Sequence, residues 1–200
     1  MNLRKTVEEV DQIYHARKVV LVDKNDNDLG IGGLVEAHRD KGLKHRAFSL
    51  QLYRKVDNKF ELLLQQRAES KPVFPYFWAN TCCYNMAPGE KYLERAVSRV
   101  KEEVGVEVAV ETLRELYKFS YEADDIEGWC ENEVDNVIVG EWDPPVARQA
   151  GEFEINPEEA MDVRWVEWAL LNNDIKENPG KFAPWFKMIV FDSRFRSVFE

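Results

Sequence analysis

The chain has 200 residues, 44% hydrophobic and 32% charged, which suits one domain with a sizeable core and reads as an ordinary soluble globular protein rather than a disordered one. A net charge of −10 argues against a nucleic-acid partner, because a phosphate backbone would repel it. Three cysteines, two of them adjacent, make no disulfide framework, so a cytoplasmic setting is expected; with no long apolar run and no apolar core in the opening MNLRKTVEEVDQIYH, no membrane association is expected either.

Residues 1–15 read as a short helical or irregular lead-in, and 1–17 as an extension to a single domain spanning 1–200. Residues 18–23 read as a strand, ended by a turn-rich 24–30. Residues 31–45 show no clear period but hold His38 and His45. An alternating strand over 46–53, a turn over 55–59 and a return strand over 60–66 form a hairpin, followed by a polar loop (67–71) and an aromatic-rich loop (72–78). The stretch 78–106 organises the rest. It begins as a turn carrying Cys82 and Cys83, breaks at Pro88-Gly89, and continues as an amphipathic helix whose stripe is Leu93, Ala96, Val97, Val100 and Val104. Gly105 would cap it, and Arg99 and Glu103, four apart, share a face. Further strands are expected over 113–121, 132–142 and 161–168, then a short helix, then an amphipathic helix over 183–198. Strands interleaved with helices give an α/β or α+β fold with a mixed sheet.

Several groups of residues could carry chemistry. A thiol at Cys82 or Cys83 stands just before a helix that presents a cation and a carboxylate; the plain alternative is a packed loop. Glu131 and Glu133 fall on one strand face, where they repel unless a cation intervenes or one is protonated. Two histidines and two carboxylates would suit a divalent metal such as Zn²⁺ or Mn²⁺. Arg67, Lys71 and Arg99 could form a cationic pocket, although solvated surface charge is the commoner fate of such residues. Trp185 and Tyr121, taken singly, read as packing residues.

Five segments in order, Lys41-Gly-Leu-Lys-His-Arg-Ala-Phe-Ser49, Leu62-Leu-Leu-Gln-Gln-Arg67, Asn80-Thr-Cys-Cys83, Glu131-Asn-Glu-Val134 and Pro184-Trp-Phe-Lys187, resemble type 1 isopentenyl diphosphate isomerase, a Nudix-fold enzyme with a mixed sheet between helices. The resemblance runs from about Val19 to Met188. It implies Cys83 as catalytic thiol, Glu133 as catalytic carboxylate and Tyr121 as its support. It implies His38, His45, Glu131 and Glu133 as ligands of an active-site metal, with Asn85 at the edge, and Glu103 as the residue holding a substrate-linked Mg²⁺. Arg67, Lys71 and Arg99 match diphosphate contacts, and Trp185 matches the aromatic wall beside the isoprenoid skeleton. The implied partner is a small prenyl diphosphate, handled by a monomer or homodimer.

Two positions depart from the family. Asn85 stands where a histidine is expected two residues after the thiol, and Leu34 where a lysine precedes the first histidine. Tyr84 and Tyr76 also replace residues that are small in some relatives. One rival reading is a Nudix diphosphate hydrolase. Against it, Arg99 takes the place of the first glutamate of the hydrolase box and Tyr84 that of its opening glycine. The others are carbocation chemistry such as cyclisation on a longer prenyl diphosphate, which Asn85, Tyr84 and Leu34 leave open, and a catalytically silent binding module, which an intact Cys83 and Glu133 disfavour.

Overall fold

Strand β3 (His45–Val56) is the spine of the molecule. In the computed structural model, which describes residues 6–143 and 152–200, one edge of β3 pairs in parallel with β8 (Cys130–Glu141). Its other edge takes three antiparallel partners in turn: β1 (Lys18–Val22), β6 (Cys82–Asn85) and β4 (Lys59–Arg67). Outward from these, β2 (Asp28–Gly33) pairs with β1, β5 (Trp78–Ala79) and β9 (Ala160–Glu167) with β4, and β7 (Leu113–Asp124) with β8, all antiparallel. The β3–β4 hairpin turns at Asp57 and Asn58, both with positive φ (48° and 62°), which short polar side chains tolerate.

Alternation along the strands feeds two apolar layers. Leu62, Leu64, Val137 and Val139 face helices α4 (Trp168–Glu177), α5 (Pro184–Phe191) and α6 (Ser193–Arg196), which supply Leu171, Ile175, Phe186, Ile189 and Phe195. Phe48, Leu50, Leu52, Leu63 and Ile138 face α3 (Tyr92–Val104) and its Ala96, Val100 and Val104. Each fully buried side chain of this size contributes roughly 1.5–3 kcal/mol. The two short remaining helices, α1 (Val7–Tyr14) and α2 (Leu34–Ala37), lie against each other and α2 against the β1–β2 ribbon. The mixed sheet between helices is the expected α+β architecture. Among the described residues, no helix is long and apolar enough to cross a membrane.

The elements differ from the sequence reading in three places. β2 occupies part of the expected turn and of the stretch without a period; its Leu29 and Ile31 are exposed, so pairing with β1, not burial, makes it a strand. Cys82 and Cys83 lie on a strand rather than a turn, so they face opposite ways. The expected helix over 183–198 is two helices, because Asp192 is extended (φ −73°, ψ 131°) and caps the second by accepting from Arg194 N–H.

Gly105 does close α3, in the left-handed region at φ 68°. A Cβ there would also sit 2.6 Å from Glu154 Cβ. Gly105→Ala should therefore destabilise the protein by about 1–3 kcal/mol in denaturant unfolding, against near-neutrality for an ordinary surface exchange.

Candidate active site

The two-residue period of β8 turns Glu131, Glu133 and Asp135 to one face, and all three are buried, at 6%, 6% and 1% exposure. Carboxylates so placed repel one another and lack hydration. Each has a specific partner. Glu131 Oε2 lies 3.1 Å from His38 Nε2. Glu133 accepts a 2.7 Å hydrogen bond from Tyr121 Oη, its register partner on β7, and its other oxygen is 3.5 Å from His45 Nε2. Asp135 accepts from the Ser49 hydroxyl at 2.7 Å. Burial works against the charge on Glu131, but the neighbouring His38 more than offsets it and holds this carboxyl below its ordinary range. Glu133 goes the other way: burial first, then the Glu131 charge, raises it. Burial opposes a charge on His38 as well, yet Glu131 raises its pKa overall.

The two histidines are presented alike. His38 Nδ1 bonds the Leu34 carbonyl and His45 Nδ1 the Leu43 carbonyl, both at 2.7 Å, so both Nε2 atoms point at the carboxylates. The ring centroids are 4.6 Å apart, and the potential ligand atoms of His38, His45, Glu131 and Glu133 lie within 4.8 Å of one another. His45 Nε2 is buried with no hydrogen-bond partner. Two imidazoles fixed by backbone carbonyls, an orphaned ring nitrogen and two carboxylates fit a divalent cation. Asn85 stands at the rim, its amide 3.1 Å from His38 Nε2.

Across β3 from β8, β6 presents Cys83, which pairs in register with Ser49. Cys83 and Glu133 line one cleft with Tyr121, Trp185, His38, Glu131 and Asn85. Burial, then the Asp135 charge, pushes the Cys83 thiol up to about 12, so it keeps its proton in the resting site. Cys82 faces away and contacts Glu103 at 3.3 Å in the α3 layer. The thiol of Cys83 donates to Asn80 Oδ1 at 3.0 Å, and the same oxygen accepts from Trp185 Nε1 at 3.1 Å. Asn80 is itself fixed by its amide, which donates to the carbonyls of Leu50 and Cys82.

Arg67, Lys71 and Arg99 line the same cleft. Arg67 donates to the carbonyls of Val73 and Phe74 and lies 5.1 Å over the Trp185 ring. Lys71 and Arg99 share Glu159, hydrogen-bonded to the first and 3.0 Å from the second. Burial opposes that carboxylate's charge, but Lys71 and Arg99 more than offset it and hold its pKa at about 2.

A NUDIX domain model matches residues 43–186. The isopentenyl-diphosphate Delta-isomerase of Nocardia farcinica is 38% identical over 86% of this chain and 91% of its own; that of Aliivibrio fischeri is 37% identical with the same coverage. The chain belongs to the type 1 isopentenyl-diphosphate isomerases of the Nudix superfamily. Among solved structures, DR0079 from Deinococcus radiodurans aligns with a TM-score of 0.64 over 86% of this chain and 96% of its own, at 17% identity. The NUDIX domain of Shewanella oneidensis NrtR aligns at 0.55 over 77% and 87%, also at 17% identity. Both show the fold alone.

Of the residues the isomerase resemblance singled out, all but His45 and Glu103 line the cleft. His45 does not line it but completes the cluster of two histidines and two glutamates. Glu103 lies beside the cleft, against Arg99. It is 1% exposed, with Oε1 accepting from Arg99 at 2.6 Å and from Cys82, and Oε2 from Gln65 at 3.0 Å. Ser49, Asn80, Asp135 and Glu159 escaped the sequence reading. Asp135 was detectable, since it continues the Glu131–Glu133 spacing, whereas Glu159 joins Lys71 and Arg99 only through the fold.

Cation binding at the cluster competes with a proton on His38, whose pKa the neighbouring Glu131 raises. Affinity for Mn²⁺ should therefore fall as the pH drops from slightly alkaline to slightly acidic, with proton release in titration calorimetry. A His45→Ala exchange should weaken binding at every pH. Binding that is independent of pH and unchanged in His45→Ala would place the ion elsewhere.

Proposed function

We propose that this chain interconverts isopentenyl diphosphate and dimethylallyl diphosphate, the reaction for which its relatives are named. The observation that carries the reading is the pair Cys83 and Glu133, held on strands either side of β3 and lining one cleft with Tyr121 and Trp185. The reaction adds a proton to the terminal alkene carbon and removes one from the carbon on the far side of the branch point, with a tertiary carbocation between. Atoms balance with no oxidant: one group gives a proton, the other takes one. Because the reaction is an equilibrium, the donor in one direction is the acceptor in the other.

Cys83 and Glu133 fill those two places. The Tyr121 hydroxyl fixes Glu133 at 2.7 Å, and Asn80 fixes the Cys83 thiol at 3.0 Å. The Trp185 indole offers a π face to the cation, an interaction worth roughly 0.5–2 kcal/mol. Asn80 bonds both Cys83 and Trp185, so one amide oxygen sets the position of a proton-transfer group relative to the cation-stabilising wall. The diphosphate, anchored among Arg67, Lys71 and Arg99, holds the alkene in place by binding energy far from the reacting carbons. A divalent ion at His38, His45, Glu131 and Glu133, with Asn85 at its edge, would orient Glu133 and bias its acidity; Zn²⁺ and Mn²⁺ suit this nitrogen and oxygen set. Mg²⁺ would accompany the diphosphate, with Glu103, beside Arg99, as its carboxylate. The free thiols of Cys82, Cys83 and Cys130 suit a reducing cytoplasm. Hydrolysis is disfavoured by Arg99, a phosphate-binding side chain where a hydrolase presents a metal-binding glutamate.

With isopentenyl diphosphate as substrate and products resolved by chromatography, Cys83→Ala and Glu133→Gln should each lose several powers of ten in turnover. Cys82→Ala should lose far less, because its thiol faces the α3 layer. Equal losses in the two cysteine variants would count against Cys83. Asn80→Ala should lower kcat by about 10–100-fold with a smaller change in KM, the pattern of lost positioning.

A further inference from the structure

We infer that Arg17 is a diphosphate-binding residue, the cation this cleft keeps free for the substrate. The inference rests on the isomerase reading and names a contact it does not contain. An anion site in a chain of net charge −10 needs local positive charge that the protein has not already neutralised. The matched cations are largely spent. Lys71 and Arg99 hold Glu159, Arg99 also holds Glu102 and Glu103, and Arg67 gives its guanidinium to two backbone carbonyls.

Arg17 differs. It is half-buried, lines the same cleft, and among the described residues has no carboxylate within ion-pair distance. Two aromatic rings fix its guanidinium: its central carbon is 5.6 Å from the Tyr14 ring centre and 5.2 Å from that of Tyr84. Arg99 lies over the same Tyr84 ring at 5.1 Å, so one ring ties Arg17 to the cation pocket. The third arginine on that ring, Arg95, is paired with Glu90 and Glu102. The Tyr14 hydroxyl, whose pKa is raised by burial and then by Glu159, feels the opposing pull of Arg17 and Arg67, so both charges act on this part of the cleft. The backbone seats Arg17 firmly, since its carbonyl accepts from Leu34 N–H at 3.0 Å. Leu34 is apolar and packed with Val19 and Ala37, so the positive charge on this wall comes from Arg17, in the connection that leads into β1. A guanidinium stacked on aromatic rings keeps its planar fork for phosphate oxygens, and Tyr84 acts as its platform rather than as an obstruction.

The test is binding of inorganic pyrophosphate to the full chain by calorimetry, alongside steady-state kinetics with isopentenyl diphosphate. Arg17→Gln should weaken pyrophosphate binding and raise KM, each by about tenfold, with little change in kcat; Arg17→Lys should recover part of the loss. Unchanged pyrophosphate affinity in a folded Arg17→Gln variant would overturn the assignment, as would a fall in kcat with KM unmoved. Should that variant fail to fold, a crystal structure of the native chain with pyrophosphate decides: the Arg17 guanidinium within hydrogen-bond distance of a phosphate oxygen supports the inference, and one turned away from the anion overturns it. A native chain that binds pyrophosphate but does not isomerise would end the isomerase reading alone, because the pyrophosphate measurements judge Arg17 by themselves.

Discussion

Three carboxyl groups on one buried strand face are the constraint around which this molecule is built. Burying like charges side by side is unfavourable unless each is hydrogen-bonded, paired or neutralised. Glu131 is answered by His38, Glu133 by Tyr121 and His45, and Asp135 by Ser49. Those partners come from α2's end, β7 and β3, so β8 needs a strand on each side to be tolerated. The cost of that burial leaves Glu131 and Glu133 with oppositely shifted acidities two residues apart. Glu133, the carboxyl with the raised pKa, is the one that shares the cleft with the held Cys83 thiol and the Tyr121 hydroxyl.

The basic residues of the cleft are organised by paired charge instead. Glu159 occupies Lys71 and Arg99 in the way a substrate anion would, and Glu103 holds Arg99 from behind. Such pairing positions the cations and keeps them from repelling one another before substrate arrives. It also means that the field offered to a diphosphate is weaker than a count of basic residues suggests. Asn80 and Trp185 are hydrogen-bonded, which couples the indole in the cleft wall to the Cys83 thiol.

Much of this was legible in the sequence, for physical reasons that can be named. The α3 stripe and its Gly105 cap are local, and helix periodicity reports them directly. The Glu131–Glu133 spacing is meaningful because strand geometry fixes which side chains share a face. The meeting of His38 and His45 with those glutamates depended on sheet register, with His45 opposite Glu133, which one chain's pattern does not contain. The same holds for β6, a four-residue strand defined by its pairing with β3 rather than by its own composition. Glu103 is a related case: the resemblance assigns it to a metal by motif position, while only the fold shows that its neighbour one helical turn back, Arg99, donates to its carboxylate. Glu159 carried no signal, because it reaches Lys71 and Arg99 from a loop distant in sequence.

The central claim is that the cleft moves protons on a hydrocarbon and leaves the diphosphate intact. Incubating the native protein with isopentenyl diphosphate and a divalent cation in deuterated water, and following the product by NMR, tests it most directly. The account predicts dimethylallyl diphosphate carrying deuterium in the methyl group formed from the terminal alkene carbon, with no phosphate released. Inorganic phosphate or a monophosphate ester as the product, with the alkene unlabelled, would contradict it.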